Sequence, residues 1–254
     1  SVAMVSSSLG RGGAERQVVT CIKALTKITS ISSIQLYCYQ ADNTGGELDT
    51  YLPEIEEVGI PIYQYGNKDV LEEILKGSQP HLKEWLPYLE QLPATIRRNI
   101  EPLYLSFISS KPDVVHAWQD SMNINAAIAA LMAGVPGIVL FARSQRPDGK
   151  TMMHIKNRPF LKKAYESILK DPRIKLCINS SAGATSYSEW LGCKENEFPV
   201  IHNGIDFDTI SLASENEDIS DKLEEFGITP ETPIVGTVFR FVQEKQPELW
   251  IDTM

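Results

Sequence analysis

The sequence has no run of about 18 apolar residues, which excludes a membrane-spanning helix. It has no basic excess: the net charge is -9, so bulk charge draws it to neither nucleic acid nor an anionic membrane. Cysteine is scarce. Cys21, Cys38, Cys177 and Cys193 show no C-x-x-C and no metal-ligand spacing, and the first three lie in apolar patterns that read as core. This usage excludes a disulfide framework and suits a reducing cytoplasm. The start, "SVAMVSSS", has neither the basic region nor the apolar core of a signal peptide. No G-K-[ST] follows the glycines near the start, so there is no P-loop. No repeat of 20–50 residues is visible. His, Cys and carboxylates form no cluster, so neither a metal nor another cofactor is expected.

What is present is a soluble globular composition, 43% apolar and 22% charged over 254 residues. Short apolar runs alternate with helical patterns. Strands are expected at Val2–Val5, Ile34–Tyr39, Ile60–Tyr63, Val114–Ala117, Gly137–Phe141, Ile174–Ile178 and Val200–His202. Helices are expected at Gly13–Thr29, Leu48–Val58, Asn123–Ala133, Pro159–Lys170 and Ser181–Leu191, the last closed by Gly192. Strands separated by helices of ten or more residues predict an α/β fold: a Rossmann-like parallel sheet with helices on both faces. Residues 68–110 form a helical insert longer than a crossover needs. It reads as an extra layer on the core or as a hydrophobic lid. Residues 1–204 make one domain. After an acidic stretch at 213–232, Ile234–Val238 reads as a strand opening a new βα unit with a helix at Gln246–Thr253. One strand and one helix build no core, so the chain is expected to be part of something larger.

The stretch "GRGGAER" fills the turn between the first strand and the first helix. Glycines there let a backbone approach a ligand, and the helix start favours an anion; Arg11 and Arg16 add charge. The plainer reading is a tight turn needing positive φ. A dinucleotide fingerprint is disfavoured, because Glu15 stands where a third small residue belongs and the acid after strand two, Asp42, comes late.

Three separated segments then agree. "SSLGRGGAERQV" resembles the N-terminal signature of the retaining GT-B glycosyltransferases of family four. "FPVIHNGID" is similar to that family's motif at the end of the first domain, and "IVGTVFRFVQEKQPELWIDTM" to the opening of its second. The resemblance implies two Rossmann-like halves with a sugar nucleotide between them. This chain would hold the acceptor-side half and only the start of the donor-binding half, and so would be inactive alone. It implies transfer, with retention, from a nucleotide-diphosphate sugar to a saccharide or lipid-linked acceptor in bacterial surface-polysaccharide assembly. The partners would be these small molecules and no nucleic acid. The setting would be the cytoplasm, with peripheral contact on the inner membrane. Gly12 and Gly13 match the glycine pair that faces the donor diphosphate and acceptor. Arg240 and Lys245 match the cations that neutralise the leaving diphosphate, whose growing charge fixed cations stabilise. Asn203 and Gly204 match the interdomain hinge. The chain departs from the family at "FARSQR": where many relatives carry a histidine after the strand, Arg143 and Arg146 stand instead. His116, in "DVVHAW", takes the first position of a frequent His-Ala-His pattern and Trp118 the second. His116 and Arg143 are the candidate catalytic residues. The departure leaves an alternative of another class, a non-catalytic module of GT-B ancestry that binds a saccharide or partner.

Overall fold

The computed structural model describes residues 1–41, 48–65, 94–147, 160–194, 197–205, 207, 220–229, 231–239, 241–242 and 245–254. These fall into two compact units, Ser1–Gly204 and Ile205–Met254.

In the first unit the elements alternate as the pattern predicts. They are β1 (Val2–Ser6), α1 (Gly13–Leu25), β2 (Ile34–Cys38), α2 (Leu52–Val58), β3 (Ile62–Gln64), α3 (Ala94–Ser110), β4 (Val114–Trp118), α4 (Asp120–Met132), β5 (Gly137–Ala142), α5 (Phe160–Ile168), β6 (Ile174–Ile178) and α6 (Ser181–Leu191). The six strands form one parallel sheet in the order β3-β2-β1-β4-β5-β6. Because successive strand residues face opposite ways, each strand feeds two cores. Met4, Leu36, Trp118 and Phe141 pack under α1 and α2 with Val18, Ile22 and Ile55. Ala3, Val5, Val115, Ala117 and Leu140 pack under α3 to α6 with Phe107, Tyr165, Tyr187 and Trp190. Helices therefore cover both faces, as expected of this fold class.

Element ends moved where sequence pattern is weakest. The first helix stops at Leu25, short of Thr29; Lys27 and Ile28 donate to Ala24 and Leu25 in tighter i→i+3 turns, and Ile28 is exposed. The second begins at Leu52 with Pro53 in its first turn, where a missing N–H costs nothing. Val200–His202 makes only a single parallel bridge, Val200 to Ile178, beside β6. Gly192 does close α6 in the left-handed conformation, φ 69°.

Of the insert 68–110, residues 68–93 lie outside the described residues. The rest is α3, whose Ile100, Leu103, Tyr104 and Phe107 are buried in the core. Side chains used this way do not form a lid. α4 is nearly all buried. Ala126, Ala127, Ala129 and Ala130 give it the thin profile that lets α3 and the sheet approach from both sides.

The second unit contains α7 (Ser220–Glu225) and α8 (Pro247–Thr253). Ile234–Val238 forms no strand; Ile234, Val235 and Val238 are exposed. A parallel strand needs neighbours on which to pair, and none stands beside it among the described residues. Phe239 instead packs edge-on against Trp250 of α8.

Candidate functional site

The sheet has a topological switch point. From β1 the chain proceeds outward to β2 and β3, then returns to the other side of β1 to lay down β4. In open parallel sheets the crevice at the carboxyl ends of such strands is where ligands bind. Here it lies between the loop after β1, which carries the glycine turn, and the residue after β4, Gln119.

The loop after β1 is tied down. Tyr39 and Gln40 donate backbone N–H groups to the carbonyls of Ser6 and Ser7, and Leu9 exchanges backbone bonds with Leu48 and Tyr51. Ser8 Oγ accepts the N–H of Gly10. Gly12 is the N-cap of α1, and it is extended, φ −147° and ψ 154°. The glycine pair therefore does not serve a positive φ. At Gly12 a side chain would compete with that of Glu15 for room. A Cβ on Gly12 would stand 2.0 Å from Glu15 Oε2, so the Glu15 carboxylate occupies the room that a side chain would take. Gly13 is exposed, with nothing near the position of a Cβ.

Glu15 Oε1 accepts a hydrogen bond of 2.8 Å from Gln119 Nε2, and Ser7 Oγ lies at 3.4 Å from the same oxygen. Ser7 Oγ in turn donates to Gln119 Oε1 at 2.8 Å. Glu15 is an acceptor only, which fixes the orientation of the Gln119 amide. Gln119 has φ 72° and ψ 147°, a region comfortable only for glycine and worth about 1–3 kcal/mol of strain. The surroundings hold it there. Its N–H donates to Phe141 O, and its carbonyl accepts the N–H of Asn123 at 2.7 Å. The next residue, Asp120, accepts the hydroxyls of Tyr165 and Tyr187 on one oxygen. Asn123 bonds both the N–H and the C=O of Phe141. Neither Ser7 nor Gln119 was a sequence candidate. A glutamine carries no signal for positive φ, as a glycine would.

Beside this cluster lies an aromatic stack. His116 is the third of five residues in β4, which runs one residue beyond the expected Val114–Ala117 to Trp118. Its ring lies 5.1 Å from Trp118 and 6.0 Å from Phe141, under the α1 face. Burial pushes its pKa down to about 4, so it is neutral at neutral pH. Its Nε2 is buried and has no hydrogen-bond partner among the described residues; the same holds for Trp118 Nε1 and Arg143 Nε. Arg143 caps the stack, its guanidinium 5.1 Å from the Trp118 ring centre and 5.3 Å from Phe141. Arg143 Nη2 donates to Asn203 Oδ1 at 2.8 Å. Burial lowers the Arg143 pKa while the charge of Glu15 opposes that shift, so the two feel one another, yet they form no ion pair.

The structure thus brings Gly12, Glu15, Arg143 and Asn203 onto one edge of the sheet and keeps His116 beneath it. Gly204 joins them through α1: Gln17 Nε2 donates to its carbonyl and Gln17 Oε1 accepts its N–H, each at 2.8 Å. Arg146 is half-buried, its backbone N–H on Ser186 Oγ. Arg11 and Arg16 are exposed. In the second unit Lys245 is exposed, and Arg240 lies outside the described residues. Among the described residues no group of three or more His, Cys, Asp or Glu is placed to hold a metal ion, and no helix is long and apolar enough to cross a membrane.

No family model matches the sequence. Over 265 residues it is 26% identical to the Vi polysaccharide biosynthesis protein VipC/TviE of Salmonella typhi, covering 99% of this chain and 44% of that protein. Among solved structures it is similar to the apo form of the lipopolysaccharide outer core galactosyltransferase WaaB, with a TM-score of 0.52 and 14% identity over 80% of this chain and 46% of that one. The fold is that of a GT-B N-terminal half. The GT-B likeness extends to the UDP-GlcNAc 2-epimerase from Methanocaldococcus jannaschii, with a TM-score of 0.50 and 14% identity over 88% of this chain and 52% of that one. The chain spans about half the length of each of these relatives. As a GT-B half, it presents at its switch point a carboxylate, an amide, a hydroxyl and a guanidinium, a donor and acceptor set suited to a polyhydroxylated ligand.

Proposed function

We propose that this chain is the acceptor-side half of a retaining GT-B glycosyltransferase of family four, which transfers a hexose or related sugar from a nucleotide-diphosphate sugar during assembly of a bacterial surface polysaccharide. The observation that carries this reading is the 26% identity that runs along 99% of the chain to a protein named for polysaccharide biosynthesis. The GT-B fold, shared with a galactosyltransferase, is consistent with it. In this reading the turn at Gly12 and Gly13 faces the reacting sugar. Arg143 stands in for the histidine that many relatives carry. Arg240 and Lys245 neutralise the leaving diphosphate, and Asn203 and Gly204 form the hinge. The acceptor is a saccharide, free or lipid-linked, and contact with the inner membrane is peripheral.

The epimerase likeness supports a second reading, because a GT-B fold also serves sugar-nucleotide isomerisation. One experiment separates them. The full-length natural protein is screened by thermal shift against UDP- and GDP-sugars, and the stabilising compound is incubated with and without saccharide acceptors. Acceptor-dependent release of the nucleoside diphosphate supports the transferase. A change in the sugar without any acceptor supports the epimerase. Stabilisation by no sugar nucleotide overturns both and leaves a non-catalytic module.

A further inference from the structure

We propose that Arg143 binds an anionic group, a carboxylate or a phosphate, carried by the acceptor, so that acceptors are selected by charge. The proposal rests on the reading that the chain is the acceptor-side half of a transferase. It names the class of acceptor and the residue that meets it.

Arg143 is the first residue after β5. Its guanidinium lies over the Trp118 and Phe141 rings at the carboxyl ends of β4 and β5, with ring centres 5.1 Å and 5.3 Å away. The rings beneath it and Asn203 beside it hold the group in place. Asn203 is itself steadied by its neighbour Gly204, whose N–H and carbonyl both bond Gln17. A cation fixed in this way loses little freedom when a ligand binds. Its hydrogen-bonding capacity is nevertheless almost unspent. A guanidinium has five N–H donors and no acceptor. Among the described residues only Nη2 has a partner, the neutral amide oxygen of Asn203, and Nε is buried without one. The indole below repeats the pattern. Trp118 is 4% exposed, and its Nε1, also a donor only, is buried and unpartnered among the described residues. His116 Nε2, which can serve either way, is unpartnered in the same stack.

What this stack calls for is an acceptor that bears negative charge. Glu15 is the carboxylate whose charge reaches Arg143, but it forms no ion pair with it and is bonded instead to Gln119, with Ser7 alongside. A neutral oxygen would satisfy the N–H groups and leave the half-buried charge uncompensated. A carboxylate or phosphate oxygen does both, in short charge-assisted bonds whose geometry the guanidinium fork matches. The place is also distinct from the glycine turn. The guanidinium lies over β4 and β5, whereas the turn follows β1, on the other side of β4 in the sheet. An anion on Arg143 is therefore a different group from a diphosphate held at that turn.

The test uses the full-length natural protein and two matched pairs of probes: methyl glucuronide against methyl glucoside, and geranyl phosphate against geraniol. Probe binding is read by saturation-transfer NMR, and the donor side by the rise in melting temperature with UDP- and GDP-sugars. The wild type is expected to bind the charged member of one pair about tenfold tighter than its neutral partner, the worth of one charge-assisted bond. The pair that responds names the source, an acidic sugar or a lipid phosphate. Arg143→Gln is expected to abolish that preference by weakening the charged member about tenfold, with the neutral member and the sugar nucleotide unchanged. Arg143→Lys keeps the charge without the fork and should retain only part of the preference. Should Arg143→Gln fail to fold, a full wild-type preference in Arg143→Lys overturns the proposal. Equal weakening of both members of a pair in Arg143→Gln marks a strut that merely holds residue 203, and also overturns it. So does the absence of any preference in the wild type, an unchanged preference in Arg143→Gln, or loss of the sugar nucleotide in place of the charged probe. Stabilisation by a sugar nucleotide without any charge preference leaves the transferase reading standing while this proposal falls.

Discussion

Gln17 and Gly204, 187 residues apart in sequence, form a closed ring of two hydrogen bonds: the side-chain amide of one matches the backbone amide of the other. A Cβ on Gly204 would stand 3.3 Å from the Thr20 methyl, so the backbone lies directly against α1. The helix that carries the glycine turn at one end thereby holds the end of the first unit along its side.

That ring is sensitive to its chemistry. Gln17→Ala removes both bonds, about 1–2 kcal/mol of local stability. Native-state hydrogen exchange at the Gly204 amide should then accelerate by about tenfold, with α4 amides unaffected. Gln17→Glu keeps the acceptor for the Gly204 N–H and sets a carboxylate against its carbonyl, so it should release Gly204 as well. Unchanged exchange in both variants would show that the ring holds nothing.

His116 makes stability depend on pH. Its native pKa is about 4, against an ordinary value of 6.5, because burial disfavours the charged ring. The unfolded chain therefore binds more protons between these values, and stability falls as pH falls through that window. The loss from neutral pH to the native pKa is about 3 kcal/mol. His116→Phe fits the aromatic stack and cannot charge, so urea unfolding across this range should show a shallower acid slope. It should also be no less stable at neutral pH, since it removes a buried Nε2 that has no partner among the described residues.

Asp120 is the junction of three helices: it starts α4 and accepts Tyr165 of α5 and Tyr187 of α6. Burial beside this carboxylate holds both phenols well above their ordinary pKa. Tyr187→Phe should cost about 2 kcal/mol, with a lower urea midpoint and an unchanged m-value. The double change with Tyr165→Phe should be non-additive, because the two hydroxyls share one oxygen.

The thiols should label in a fixed order. Cys38 is buried and its pKa pushed up to about 12, and that of Cys21 to about 11. Cys193 is half-buried, its pKa raised by partial burial and by the charge of Glu197. At about pH 8 an aromatic disulfide reagent should modify Cys193 quickly, and Cys38 only as fast as the sheet opens. Rapid labelling of Cys38 in the folded protein would contradict the packing under α1 and α2.

Most strands were legible because each must be apolar on both faces, and such short runs between turn residues have few other uses. Gly192 was legible as a helix stop for a similar local reason. The strand bearing His116 was legible to within one residue: Trp118 is apolar enough to extend β4. Ile234–Val238 has the composition of a strand but no pairing neighbour among the described residues, and composition does not supply one. At the site, the sequence pointed to Gly12 and offered two causes, close approach of a ligand and positive φ; the extended backbone there removes the second. Gln119 was hidden because its role comes from strain imposed by distant partners, Phe141, Asn123 and the tyrosines around Asp120. Gln17 was hidden because its partner is a backbone group 187 residues away.

The position of β1 has a consequence for synthesis on the ribosome. Its pairing with β2 needs only the next thirty or so residues, but Val2 also pairs with Val114. At translation rates of about 5–20 residues per second, that edge stays bare for roughly 6–20 s. During this interval the strand at the centre of the finished sheet is an edge strand, apolar on both faces and open to the wrong partner. A strand that is paired on both sides in the finished sheet is thus, for that interval, paired on one side only.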